Sequence, residues 1–281
     1  MAALAPLRTV IQAHGLTARK GLGQHFLMDL NLTRRIARAA GPLSGANVIE
    51  IGPGPGGLTR ALLLEGAAHV TAVERDARCI AALAPLVDAA AGRLRLVEAD
   101  ALKVDPGELA AAPRLIVANL PYNVASVLLV GWLKRLDAIA GMTLMFQAEV
   151  ADRLVARPGT KAYGRLSVLT QWLTRAEVVL ALPARAFTPP PKVASAVVRF
   201  DPHPPDPELR VPAMEAVVAA AFGQRRKMLR QSLKSLGPPP EALLAAADIA
   251  PTARADALTV DEFRRLALAW QEIQAGGSAP G

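Results

Sequence analysis

The sequence predicts an α/β domain built on a mostly parallel sheet, followed by a small all-helical domain. Three observations carry this. Short apolar runs bounded by glycine or proline alternate with stretches of helical spacing through the first half of the chain. Repeated β-α units of that kind form a parallel sheet covered on both faces. Asp201-Pro-His-Pro-Pro-Asp-Pro207 then holds four prolines in seven residues, which neither a helix nor a central strand tolerates. Beyond it only helical patterns remain, so the expected domains are 1–200 and 208–281.

The elements follow in order. Ala46–Ile51, His69–Glu74, Leu94–Glu98 and Arg114–Asn119 are apolar and strand-length. Leu58–Glu65, Ala77–Ala91 and Val124–Leu136 carry helical spacing between them. Met142–Gln147 continues the series. Glu177–Leu182 and Ser195–Phe200 are expected as a final antiparallel pair, with Phe187-Thr-Pro-Pro-Pro-Lys192 in the connection. The second domain is expected to hold helices at Val211–Leu236, Glu241–Ala247 and Val260–Gln274, and a disordered tail at Ala275–Gly281.

Composition narrows the class. The chain has 281 residues, 52% of them hydrophobic, enough for one large core and one small one. A net charge of +8 favours a polyanionic partner, nucleic acid first and an acidic membrane surface second. The single cysteine, Cys79, excludes an internal disulfide and fits a reducing compartment. With four scattered histidines there is no ligand set for a structural zinc, and no metal is expected. No apolar run reaches the roughly 20 residues of a membrane span. Met1–Arg8 breaks at Pro6 and makes a poor signal peptide, so the expected location is the cytoplasm.

Four features fall on successive strand ends. Val48-Ile-Glu-Ile-Gly-Pro-Gly-Pro-Gly-Gly57 runs from the first strand into a helix, and Gly52, Gly54 and Gly57 satisfy G-x-G-x-x-G. Glu74 ends the next strand, 22 residues after Gly52, where an acid can hold ribose hydroxyls. Alone, this is also a dehydrogenase fingerprint. Pro53 and Pro55 argue against a pyrophosphate cradle, because they remove amide donors from the loop. Asp100 follows the third strand. It can accept a bond from an adenine amine, or simply cap the next turn. Asn119-Leu-Pro-Tyr122 closes the fourth. A flipped adenine needs acceptors for its amine and an aromatic platform for its face. The Asn119 side-chain oxygen and the Leu120 carbonyl offer the acceptors, and Tyr122 the platform. Pro121 biases Leu120 away from helix.

Longer motifs extend the pattern. Arg19-Lys-Gly-Leu-Gly-Gln-His-Phe-Leu27, Glu50–Thr59, Val73-Glu-Arg-Asp76 and Asn119-Leu-Pro-Tyr-Asn123 closely resemble the ribosomal RNA adenine dimethyltransferases. Gln147–Arg153, Tyr163-Gly-Arg-Leu-Ser167, Phe187–Val193 and Phe222-Gly-Gln-Arg-Arg-Lys227 continue the likeness, from about Arg19 to Trp270. It is strongest toward the bacterial small-subunit enzymes that dimethylate two adjacent adenosines near the 3′ end of that RNA. The resemblance implies a Rossmann-like class I methyltransferase domain with a small helical C-terminal domain, and S-adenosylmethionine as donor. Carried over by motif, it puts His25, Leu27, Gly52, Gly54, Glu74, Asp100 and Asn119 at the donor, and Tyr122 and Phe187 beside the target adenine. His25 stands where the family commonly has Asn. The implied partner is small-subunit ribosomal RNA within an assembling 30S particle, with the enzyme acting as a monomer.

Ala219–Lys234 reads as one amphipathic basic helix. Phe222, Leu229, Leu233 and Leu236 fall on one face, and Lys227, Arg230 and Lys234 on another, with Arg225 and Arg226 beside them. The absence of acids between Glu215 and Glu241 favours contacts to RNA phosphates. Two other readings stay open from sequence. One is a non-catalytic RNA-binding factor on the same scaffold. The other is a large-subunit methyltransferase of the antibiotic-resistance type.

Overall fold

The computed structural model describes residues 4–16 and 25–276. The opening of the first motif, Arg19–Gln24, and the tail 277–281 lie outside them. The chain divides into two compact units, Met1–Ala151 with Glu177–Pro202, and Asp152–Ala176 with His203–Gly281.

Nine strands are described: β1 Phe26–Leu27, β2 Asn47–Ile51, β3 His69–Glu74, β4 Leu94–Glu98, β5 Arg114–Asn119, β6 Gly141–Gln147, β7 Thr174–Leu182, β8 Phe187–Thr188 and β9 Ser195–Pro202. Seven form one sheet in the order β4-β3-β2-β5-β6-β9-β7. Pairs β4–β3, β3–β2, β2–β5 and β5–β6 are parallel, and β6–β9 is antiparallel. The strands form where expected because their apolar runs bury on both faces, as Val48, Ile49, Val70, Ala72, Ile116 and Val117 do.

Helices α1 Leu7–Ala13, α2 Leu30–Ala39, α3 Gly57–Leu64, α4 Ala77–Ala89, α5 Pro106–Leu109 and α6 Tyr122–Leu133 belong to the first unit. From β2 the chain moves outward through β3 and β4. It then returns to β5 on the other side of β2. That reversal opens a crevice at the carboxyl ends of β2 and β5, the standard ligand position of such sheets. The glycine loop follows β2, and Asn119-Leu-Pro-Tyr122 follows β5. Sequence periodicity gives no sign of one further ladder. β1 pairs antiparallel with β8, joining Leu27 to Phe187.

The remaining helices are α7 Ala148–Leu154, α8 Arg165–Leu173, α9 Val211–Gly223, α10 Leu229–Ser232, α11 Pro240–Ala246 and α12 Val260–Gly276. Two expectations need correction here. Residues 152–176 were expected in the first domain. They pack with the second unit, because Tyr163, Val168 and Leu169 share its core with Met214, Leu229 and Phe263. The helix expected at Val211–Leu236 is broken. It stops at Gly223, and residues 224–227 turn. Met228 bridges to Arg254, and the Leu229 N–H donates to the Ala253 carbonyl at 2.8 Å. Pairing with a distant segment has taken backbone donors that a continuous helix would have used.

Candidate active site

The carboxyl rim of the sheet opens into a cavity. The donor-side residues His25, Leu27, Gly52, Gly54, Glu74, Asp100 and Asn119 all line it, and so do Leu120, Pro121 and Tyr122. Phe187 is not among the lining residues. It is 3% exposed and sits in the core with Leu27, Leu182 and Val197. Of the two aromatics expected beside the target base, only Tyr122 lines the cavity.

The glycine loop owes its path to backbone geometry. Gly54 has φ +54°, and a Cβ there would come within 3.3 Å of the Phe26 ring. Gly56 has φ +89°, and its Cβ would meet Leu83 at 2.6 Å. The third glycine that conformation demands is thus Gly56, whereas the literal motif spacing picks Gly57, which starts α3.

Glu74 fastens this loop to the next strand. Its Oε2 accepts from the Gly54 N–H at 3.2 Å, and its Oε1 accepts from the N–H groups of Arg75 and Asp76 at 2.8 and 2.9 Å. Asp100 fills the capping part at the cavity's edge. It caps the turn after β4 by accepting from the Leu102 N–H at 3.0 Å, and it faces the cavity.

Glu50 belongs to the loop motif, but its sequence context alone gives it no role. It lies on β2, is 1% exposed and lines the cavity. Its Oε2 has no hydrogen-bond partner. Burial pushes its carboxyl up to about 8, and the neighbouring Glu74 charge adds to this. An acid next to G-x-G on a central strand was the available signal. What it lacked was any hint of complete burial.

The acceptor side is a connected set. The Asn119 side-chain N–H donates to the His25 carbonyl at 3.3 Å, which leaves its Oδ1 for a ligand. His25 Nδ1 bonds the Pro189 carbonyl at 2.8 Å, and its ring stacks on Tyr122 with centroids 5.6 Å apart. The motif puts His25 at the donor alone. Its ring contacts lie on the acceptor side, because the β1–β8 ladder carries it to the proline turn.

In the second unit, Arg226, Lys227, Arg230 and Lys234 are exposed, but they no longer share one helix. Arg225 differs from them. Its guanidinium donates to the carbonyls of Thr160 and Lys161 at 3.3 and 2.8 Å and lies 3.9 Å from Asp256. It braces the turn against the 157–161 loop, a structural part that the sequence did not suggest.

The cavity lies at the switch point of the sheet and is bordered by Asn119-Leu-Pro-Tyr122. Residues 15–272 match ribosomal RNA adenine dimethylase. The chain belongs to that family. Its relatives include "Ribosomal RNA small subunit methyltransferase A" of Rhodospirillum rubrum, 58% identical over 98% of this chain and 94% of the relative. The Xanthobacter autotrophicus protein of the same name is 55% identical over 98% of this chain and 97% of its own. Among solved structures, a dimethyladenosine transferase from Plasmodium falciparum superposes with a TM-score of 0.78 at 25% identity, covering 90% of this chain and 98% of that one. The 23S rRNA methyltransferase ErmE gives 0.68 at 29%, covering 88% and 99%. The adenine dimethylase fold is therefore the Rossmann-like methyltransferase sheet with a helical C-terminal region. Among the described residues, no helix is long and apolar enough to cross a membrane.

Proposed function

We infer that this adenine dimethylase transfers methyl groups from S-adenosylmethionine to the N6 amines of two adjacent adenosines near the 3′ end of small-subunit ribosomal RNA. It acts as a monomer on an assembling 30S particle in the cytoplasm. One observation carries the choice of subunit. Relatives named for the small subunit are 55–58% identical over nearly the whole chain, helical unit included, against 29% for the 23S enzyme.

The residues present fit the donor. Glu74 and Asp100 are suited to its ribose and adenine. The orphaned oxygen of buried Glu50 is matched by an α-ammonium, which would ionise the carboxyl on arrival. Leu27 and the glycine loop, which line the cavity, would hold the methionine portion. When bound, S-adenosylmethionine supplies a methyl already activated on sulfonium, so the protein's task is alignment and charge placement.

Asn119 Oδ1 and the Leu120 carbonyl accept hydrogen bonds from the target amine and localise its lone pair on nitrogen. Pro121 holds the turn, and Tyr122 replaces the stacking lost when the base leaves its helix. We assign methyl transfer to the rim of the first unit and phosphate contact to Arg226, Lys227, Arg230 and Lys234 of the second. The test is methyl transfer from labelled donor to small subunits lacking these methyls, followed by mapping of the product. Dimethylation of the adjacent pair is expected. Product on large-subunit RNA would overturn the assignment.

A further inference from the structure

Tyr122 is held at three places. Its backbone opens α6, directly after the Pro121 cap. One face of the ring carries His25, at an interplanar angle of 28°. Its hydroxyl lies 2.6 Å from the Oγ of Ser195. That last contact comes from another part of the sheet. Ser195 is 1% exposed and opens β9, with its Cα opposite Gln147 of β6. The Ala148 N–H donates to the Ala194 carbonyl at 2.9 Å and closes the ladder beside it. Ser195 is thus a fixed point on a seven-stranded sheet, whereas Tyr122 sits where strand gives way to helix.

We propose that Ser195 is a positioning residue for the acceptor base, which sets the plane of the Tyr122 ring so that an adenine stacks with its amine in line with the donor methyl. This rests on the reading of Tyr122 as the platform. A tyrosine fixed only by its backbone can turn about both side-chain torsions. A hydrogen bond at the far end of the ring removes that freedom, and His25 fills one face, leaving the other for the base. A sandwiched ring transmits its tilt directly to the base. In-line transfer is steep in geometry, since a displacement near 1 Å can cost roughly 100-fold in rate. Neither the hydroxyl nor Ser195 has to touch the substrate for this to matter.

The experiment is a double-mutant cycle with single-turnover methyl transfer to small subunits, and donor affinity measured separately. Ser195→Ala and Tyr122→Phe remove the same bond from opposite ends. Each should slow transfer about tenfold, within the range geometric misplacement produces. Donor affinity and thermal midpoint should stay near the parent's. The double variant should be no slower than either single one, because the bond can be broken only once. Additive losses would overturn the proposal, as would parent-like rates in both single variants. Tyr122→Ala separates the two layers. If it transfers at the parent rate, the platform reading itself fails. If it is severely slowed while Ser195→Ala is not, only the role of Ser195 fails.

Discussion

Around the rim cavity, the functional side chains are tied to groups on neighbouring elements. Glu74 gathers three N–H groups, Asn119 holds the His25 carbonyl, and Tyr122 is pinned to Ser195. In the basic turn of the second unit the arrangement is inverted. Four cations stand exposed, and a fifth, Arg225, is consumed in holding the turn. The difference suits the two tasks proposed for these regions. Methyl transfer needs a fixed geometry for a few atoms, which only buried and mutually bonded groups provide. Contact with a phosphate chain needs charge near a surface, and mobile exposed side chains supply it adequately.

Substitutions on the two sides should therefore fail in different ways. The largest effect is expected at Asn119→Ala. A placed acceptor is worth about 2–4 kcal/mol in the transition state, so single-turnover transfer should fall roughly 30- to 1000-fold while the fold persists. A rate within about threefold of the parent would remove the rim's claim to catalysis.

Glu74→Ala comes next. Calorimetry without RNA should show donor affinity reduced by about 1.5–3 kcal/mol, the usual worth of bonds to a charged group. Its thermal midpoint should drop as well, because the glycine loop loses its anchor at Gly54. Unchanged affinity with a lowered midpoint would make Glu74 a structural clamp alone.

The basic turn sharpens the contrast. Arg226→Glu with Arg230→Glu should weaken binding to small subunits and flatten its dependence on salt. The log–log slope should fall by about 0.7–0.9 for each phosphate that is no longer neutralised. The thermal midpoint of this double variant should not move. Arg225→Ala should do the opposite, lowering stability by about 1 kcal/mol with little change in slope. If both variants change the slope alike, Arg225 binds phosphate after all.

The last prediction is read from pH dependence and concerns Glu50, whose carboxyl in the fold is pushed up to about 8 from an ordinary 4.5. Between those values the folded chain keeps a proton that the unfolded chain has released, so this group makes stability decline as pH rises through that window. Glu50→Gln removes the decline. Its midpoint should gain on the parent's from about pH 5 to about pH 8 and hold the gain above. Donor affinity should move the other way, rising with pH in the parent and staying flat in the variant. Parallel stability curves would show that Glu50 is already ionised in the fold.

Much of the first unit was legible because its signals are local. An apolar run such as Arg114–Asn119 can satisfy its burial only as a central strand, and a parallel sheet puts the ends of β2, β3, β4 and β5 on one rim wherever the chain goes next. Gly52, Glu74, Asp100 and Asn119 sit at those ends, so their convergence followed from order alone. The fate of 152–176 was not legible, because Tyr163 and Leu169 look equally apolar to either core. The break after Gly223 was hidden too, since a helix is the best local answer for that stretch until the Ala253 carbonyl competes for its donors. Glu50 looked like an ordinary motif acid until every neighbour excluded water from it. By itself, then, the sequence determined which segments bury and which chemistry lines the rim. Tertiary structure decided which charges are free and which are fasteners, because that depends on partners 65 to 164 residues away, as Arg225 with Thr160 and His25 with Pro189 show.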